Sequence, residues 1–218
     1  MLLSRIKLDP RRRETMKALA SPNLLHGAVE QSFSGPRERR LWRVDTLAGN
    51  MYLLLLGRES PDLTALFRQF GPEGEEPVWE TKDYTPLLDR ISEGSRWHFR
   101  LIANPTVSKT ERNGTDARGK VYGHITPEYQ KKWLLDRADR HGFSLDEEAF
   151  RVVRSQWLRF RKGSDGGRPV TLLAVTYEGT LSVTDPELFC QVLVNGLGRG
   201  KAYGLGMLTV VNLPVERK

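Results

Sequence analysis

Cysteine is nearly absent from this 218-residue chain: Cys190 is the only one. A single thiol excludes an internal disulfide framework and any thiolate zinc site, and it fits a reducing compartment. Its setting in the apolar run LFCQVLV makes it a small buried hydrophobe. Histidine is also scarce. The chain has His26, His98, His124 and His141, with no metal-ligand spacing among them and no H-E-x-x-H. Carboxylates do not fill the gap: GPEGEEP at 71–77 reads as a solvated loop, and DEE at 146–148 as a helix start. No metal and no cofactor is therefore expected. Long apolar runs are missing as well. The longest, MYLLLL, is far too short to span a bilayer, and MLLSRIKLDPRRR meets charge too early for a secretory signal. A cytoplasmic protein with no membrane partner is expected. No heptad pattern occurs, so the free chain is expected to be monomeric.

Positive charge is what the chain has in excess, with 34 Lys and Arg against 27 Asp and Glu, a net charge of +7. That balance points to a polyanionic partner, nucleic acid before an anionic membrane surface.

Patterning predicts the elements. MLLSRIKL alternates as a strand, and Asp9-Pro10 is a helix-start signal. A second start at Ser21-Pro22 leads into NLLHGAVEQSF, where Leu25, Val29 and Phe33 form a core face. RRLWRVDTLAG and NMYLLLLGRE form a strand pair with Gly49-Asn50 as the turn, followed by a short helix ending at Gly71 and a strand in VWETKDY. The order then restarts. SRWHFRLIANPTVSK is a strand, NGTDARGK a basic loop, and TPEYQKKWLLDRADRHG a helix stopped by Gly142. Two long strands joined by GSDGG, a helix beginning at Asp185-Pro186 and the strand GMLTVVNL complete it. Each half reads roughly as strand, helix, strand pair, helix, strand. This predicts an α+β fold of two tandem ferredoxin-like (RRM-like, βαββαβ) domains, 1–93 and 94–218, an architecture used by many RNA-binding proteins.

The stretch GLGRGKAYGLGMLTV, 196–210, carries five glycines and the cations Arg199 and Lys201. It lies between helix and strand, the reverse of a dinucleotide fingerprint, and Asn195 and Ala202 break a P-loop pattern. A loop whose amides and cations approach a phosphate backbone remains, and a helix cap with a tight turn accounts for only one or two of the glycines.

His98, His124 and His141 have structural readings, in a strand, before a helix cap and at a helix end. His26 lies off the Leu25, Val29, Phe33 stripe, where a partly solvated helix histidine is the simplest reading. A basic surface holding RNA gives a lone histidine a second use. RNA carries its own nucleophile, the 2′-hydroxyl, so cleavage needs a base, an acid and in-line placement, and one imidazole can serve as either near neutral pH.

The segments MLLSRIKLDPR, SPNLLHGAVEQSFSG, HFRLIANPTVSK, YEGTLSVTDPE and GLGRGKAYGLGMLTV, in this order over nearly the whole chain, resemble the CasE family, the CRISPR repeat-cleaving endoribonucleases of type I-E systems. The resemblance implies two ferredoxin-like domains. It also implies metal-independent cleavage at the base of a CRISPR repeat RNA hairpin and retention of the product as a subunit of the Cascade complex. It assigns His26 as the catalytic acid or base. It places Arg159, Arg161, Lys162 and Arg168, on a basic hairpin, against the RNA stem. It sets Gly198, Arg199, Gly200 and Lys201 beside the RNA near the domain junction. Some family members carry a tyrosine three residues before the histidine and a lysine five after it. This chain has Asn23 and Gln31 there, which leaves a silent RNA-hairpin-binding subunit as the alternative, with Arg37, Arg39 or Arg40 as substitute cations.

Overall fold

The structure of the protein is a computed structural model that describes residues 1–36, 38–109, 120–162 and 167–213. Arg37, all but the last residue of the NGTDARGK loop and most of the GSDGG turn lie outside the described residues.

The first unit runs β1 (Leu2–Leu8), α1 (Arg13–Ala20), α2 (Pro22–Gln31), β2 (Leu41–Leu47), β3 (Asn50–Gly57), α3 (Thr64–Phe70) and β4 (Trp79–Asp83). Its sheet has the order β2-β3-β1-β4, all antiparallel. After a short α4 (Thr85–Leu88) come β5 (Arg96–Ala103), β6 (Thr106–Lys109), β7 (Lys120–Gly123), α5 (Pro127–Ala138), β8 (Phe143–Ser144), β9 (Phe150–Arg161), β10 (Pro169–Val183), α6 (Pro186–Asn195) and β11 (Leu208–Asn212). The second sheet has the order β11-β5-β10, and β10 also pairs with β8 and β9. With β5, β9, β10 and β11 taken as the four strands of one unit, both sheets share the ferredoxin-like order, and the fold is two such units in tandem.

Period-2 alternation explains the cores. Trp97, Phe99, Leu101 and Ala103 on β5 face α5 and α6, which contribute Trp133, Leu134, Phe189 and Leu193. In the first unit Leu25 and Val29 of α2 pack with Leu53, Leu55 and Trp42 on one face of the sheet. The other face is covered too, because Leu41, Leu54 and Leu56 belong to the core of the second unit. Burial on both sides accounts for the unbroken apolar run in β3, where a half-exposed strand would alternate.

Five expectations change. The first helix begins at Arg13, because the Asp9 carboxylate is taken up locally: it accepts from the Arg11 amide at 2.9 Å and from its guanidinium at 2.9 and 3.0 Å. The Arg11 hydrogen bonds hold that carboxyl down to about 2. The β2–β3 turn sits at Ala48 and Gly49, both with positive φ. The strand read as SRWHFRLIANPTVSK breaks at Asn104-Pro105, where proline has no amide to donate. The acidic run at 146–148 is a turn: Asp146 accepts from the Glu148 amide, and β9 follows where a helix start was expected. Cys190 is only partly buried against the core, and burial pushes its thiol up.

Candidate nucleic-acid interface

His26 is placed by two local facts. Ser21-Pro22 sets the start of α2, and Leu25 and Val29 turn one face of that helix into the core. The imidazole, next to that stripe, stays partly exposed and lines an open cleft of about 440 Å³. Glu30, Glu38, Arg39 and Arg40 line the cleft from the first unit, and Gly198, Arg199, Gly200 and Lys201 from the second. Residues that the sequence singled out at opposite ends of the chain thus share one site. The other histidines are elsewhere: His98 Nδ1 lies 3.2 Å from Thr180 Oγ1, His124 stacks on Tyr129, and His141 Nδ1 lies 2.7 Å from the Arg137 carbonyl oxygen.

The glycine stretch is a fold of the main chain in its own right. Gly196, Gly198, Gly200, Gly204 and Gly206 all have positive φ, from 71° to 87°. Two positions show why. A Cβ on Gly204 would come within 2.6 Å of the Trp42 ring, and one on Gly206 within 2.6 Å of the Leu197 carbonyl oxygen. Gly206 donates to the Ile102 carbonyl oxygen at 2.6 Å and accepts from Leu197 at 2.8 Å, and Arg199 forms an isolated bridge with Asn104. Glycine is required first by this path across β5 and β2. Closeness to a ligand is not needed to explain it.

The cations of the cleft differ in freedom. Arg40 is buried, stacked 3.9 Å from the Phe33 ring centroid, 3.7 Å from Glu30, and donates to the Pro36 carbonyl oxygen. Arg39 and Arg199 are exposed. Lys201 is half-buried on a 3-10 turn, Lys201–Tyr203; burial, and secondarily the nearby Arg39 charge, push its ammonium below the ordinary lysine range. One turn before His26, the Asn23 side-chain oxygen is buried without a hydrogen-bond partner among the described residues.

The hairpin cations form a separate group. Arg159, Arg161, Lys162 and Arg168 lie along β9 and beyond it, where the Lys162 amide donates to the Arg168 carbonyl oxygen at 3.1 Å. None of them lines the His26 cleft. Arg159 borders a broader cleft of about 1040 Å³ between the units, with Val44, Arg100 and Arg154. Phe160 of the hairpin meets Tyr203 of the 3-10 turn edge-on at 4.9 Å, which ties the hairpin to the glycine stretch.

Sequence reasoning missed Arg43. It is buried on β2, paired with Asp45, and donates to the carbonyl oxygens of Arg100 and Met207 in the second unit. A signal existed: LWRVDTL puts Leu41, Arg43 and Asp45 on the same face of a strand, so two charges share a face with a core leucine.

A family model described as CRISPR associated protein matches residues 1–212. The chain is 33% identical to the CRISPR-associated endoribonuclease Cse3 of Thermus thermophilus, over 96% of this chain and 99% of that protein. It superposes on a structure of CRISPR endoribonuclease Cse3 bound to 19 nt RNA with a TM-score of 0.77 and 32% identity, covering 97% of this chain and 100% of the other. A structure of Thermus thermophilus Cse3 bound to an RNA representing a pre-cleavage complex gives 0.75 and 28%, over 96% and 98%.

Proposed function

The chain belongs to the CRISPR-associated protein family, and from that premise we propose that it is an endoribonuclease that cuts CRISPR precursor RNA at the base of the repeat hairpin and keeps the product within a Cascade complex. The observation that carries this reading is the shared cleft: a partly exposed imidazole faces cations from the other unit. We place the division between the units near residue 93.

The chemistry asks little of the protein. The RNA 2′-oxygen attacks phosphorus as its proton leaves to a base; the P–O2′ bond forms, the P–O5′ bond breaks, and the 5′-oxygen takes a proton. The products are a 2′,3′-cyclic phosphate and a 5′-hydroxyl. Water is not consumed, and no metal is called for. His26 is the acid or base of this exchange. Arg159, Arg161, Lys162 and Arg168 hold the stem by its backbone, because the A-form major groove is too deep and narrow for side chains to read bases.

The test uses an end-labelled repeat hairpin from the host's own CRISPR array, in EDTA. Wild type is expected to cut once, leaving a cyclic phosphate, and His26→Ala to cut at least ~10²-fold more slowly with near-unchanged affinity. A second reading, a silent RNA-binding subunit, is favoured by the Asn23 oxygen, unpartnered among the described residues, where some family members carry a phenol. Tight binding with no cut by either protein would establish it.

A further inference from the structure

The helix that carries His26 has no cation of its own: PNLLHGAVEQ contains neither lysine nor arginine. A phosphate held at His26 must draw its counter-charge from other elements. Arg40 is already engaged by Phe33, Glu30 and Pro36, and Arg39 and Arg199 are exposed. Lys201 differs from all three.

Its 3-10 turn packs directly against α2. Left-handed Gly200 and Gly204 bound the turn, Trp42 presses on Gly204, and Phe160 abuts Tyr203. The lysine stem runs beside Gly206, 3.2 Å from where a Cβ there would sit. The ammonium is therefore borne on an element clamped by both units, partly withdrawn from water, with Arg39 as its charged neighbour and no ion-pair partner among the described residues. A cation in that state lacks an anion, and the cleft it lines opens onto His26.

We propose that Lys201 is a catalytic residue of the cleavage, supplied by the second unit to hold the non-bridging oxygens of the scissile phosphate opposite His26. This rests on the endoribonuclease reading. Charge on those oxygens grows as the 2′-oxygen adds to phosphorus, and a fixed cation in a partly desolvated site stabilises that growth more than it stabilises the bound substrate. Lys201 keeps its proton throughout, while the 2′ proton and the proton for the 5′-oxygen move through other groups. The active site is composite, with the proton-transfer group from the first unit and the electrostatic group from the second.

The experiment is single-turnover cleavage of the repeat hairpin in EDTA at saturating protein by wild type, His26→Ala, Lys201→Met and Lys201→Arg. Affinity is measured in parallel on the same hairpin with a 2′-deoxy nucleotide at the scissile position, which cannot be cut. Methionine keeps most of the aliphatic stem and removes the charge. The expected result is a loss of about 10²-fold in rate for Lys201→Met, with affinity for the deoxy hairpin within about threefold of wild type. Lys201→Arg recovers at least about tenfold of that loss. If Lys201→Met does not fold, Lys201→Gln is read in the same way. Cleavage abolished by His26→Ala but unchanged at saturation by Lys201→Met would overturn this inference alone. A loss confined to affinity would also overturn it, leaving Lys201 a binding cation. No cleavage by wild type would overturn both this inference and the function on which it rests.

Discussion

At the scale of single residues, Arg43 carries the most structural consequence. Its Nε and Nη2 grip the Asp45 carboxylate, Nη1 reaches the Arg100 and Met207 carbonyl oxygens at 3.0 and 2.7 Å, and Nη2 also reaches Thr209 Oγ1 at 2.7 Å. Met207 directly follows Gly206, the last glycine of the stretch, so this one guanidinium bonds the first unit to the end of the loop that lines the His26 cleft. A planar fork with donors on three nitrogens can do this, and an ammonium cannot. Arg43→Met is expected to cost about 3–5 kcal/mol in urea unfolding, because Asp45 is left buried with only Arg100, at 3.5 Å, beside it. Arg43→Lys should not restore the loss. A cost near zero would mean that apolar packing alone sets the junction.

At the scale of elements, the glycine stretch and its 3-10 turn form a closely packed strap between α6 and β11. Gly204 combines φ of +76° with a Trp42 ring that leaves no room for a Cβ. Gly204→Ala is therefore expected to destabilise the protein by about 1–3 kcal/mol, through strain in the left-handed region together with the clash. Because the same turn carries Lys201, cleavage should fall in Gly204→Ala even at temperatures where the variant is fully folded; thermal unfolding and single-turnover rates measured together check this. The elements themselves were largely legible. Ser21-Pro22, Leu25 and Val29 announced α2, and Asp185-Pro186 announced α6, whose Asp185 side chain accepts from the Leu188 amide at 3.0 Å. Asp9-Pro10 has the same form and misled. A helix-start motif is local chemistry, and at Asp9 the competing local donor, Arg11, wins the carboxylate.

At the scale of the whole molecule, the basic hairpin and the His26 cleft are distinct surfaces coupled through Phe160 and Tyr203. Their roles should separate experimentally. Replacing Arg159, Arg161, Lys162 and Arg168 together by alanine is expected to weaken binding of the hairpin RNA and to flatten its salt dependence, by about 0.7–0.9 in the log–log slope for each phosphate that is no longer neutralised. The cleavage rate at saturating protein should change little, the opposite of His26→Ala. An unchanged salt slope would take the four cations off the RNA. No helix among the described residues is long and apolar enough to cross a membrane.

Much of this protein follows from residue order alone. Alternation and helix punctuation specify two ferredoxin-like units, because most of those patterns act over a few residues. The motifs carry the family resemblance, and His26 stood out because it lies off its helix's apolar stripe. What residue order left open was which distant segments meet. Leu41, Trp42, Arg43 and the glycine stretch are far apart in sequence, and their meeting depends on burial on both faces of one sheet. The reason for the glycines came from there, as did the partner of Arg43 and the meeting of Lys201 and His26 in one cleft. Those are junctions between units, and long-range packing leaves no period in a sequence to read.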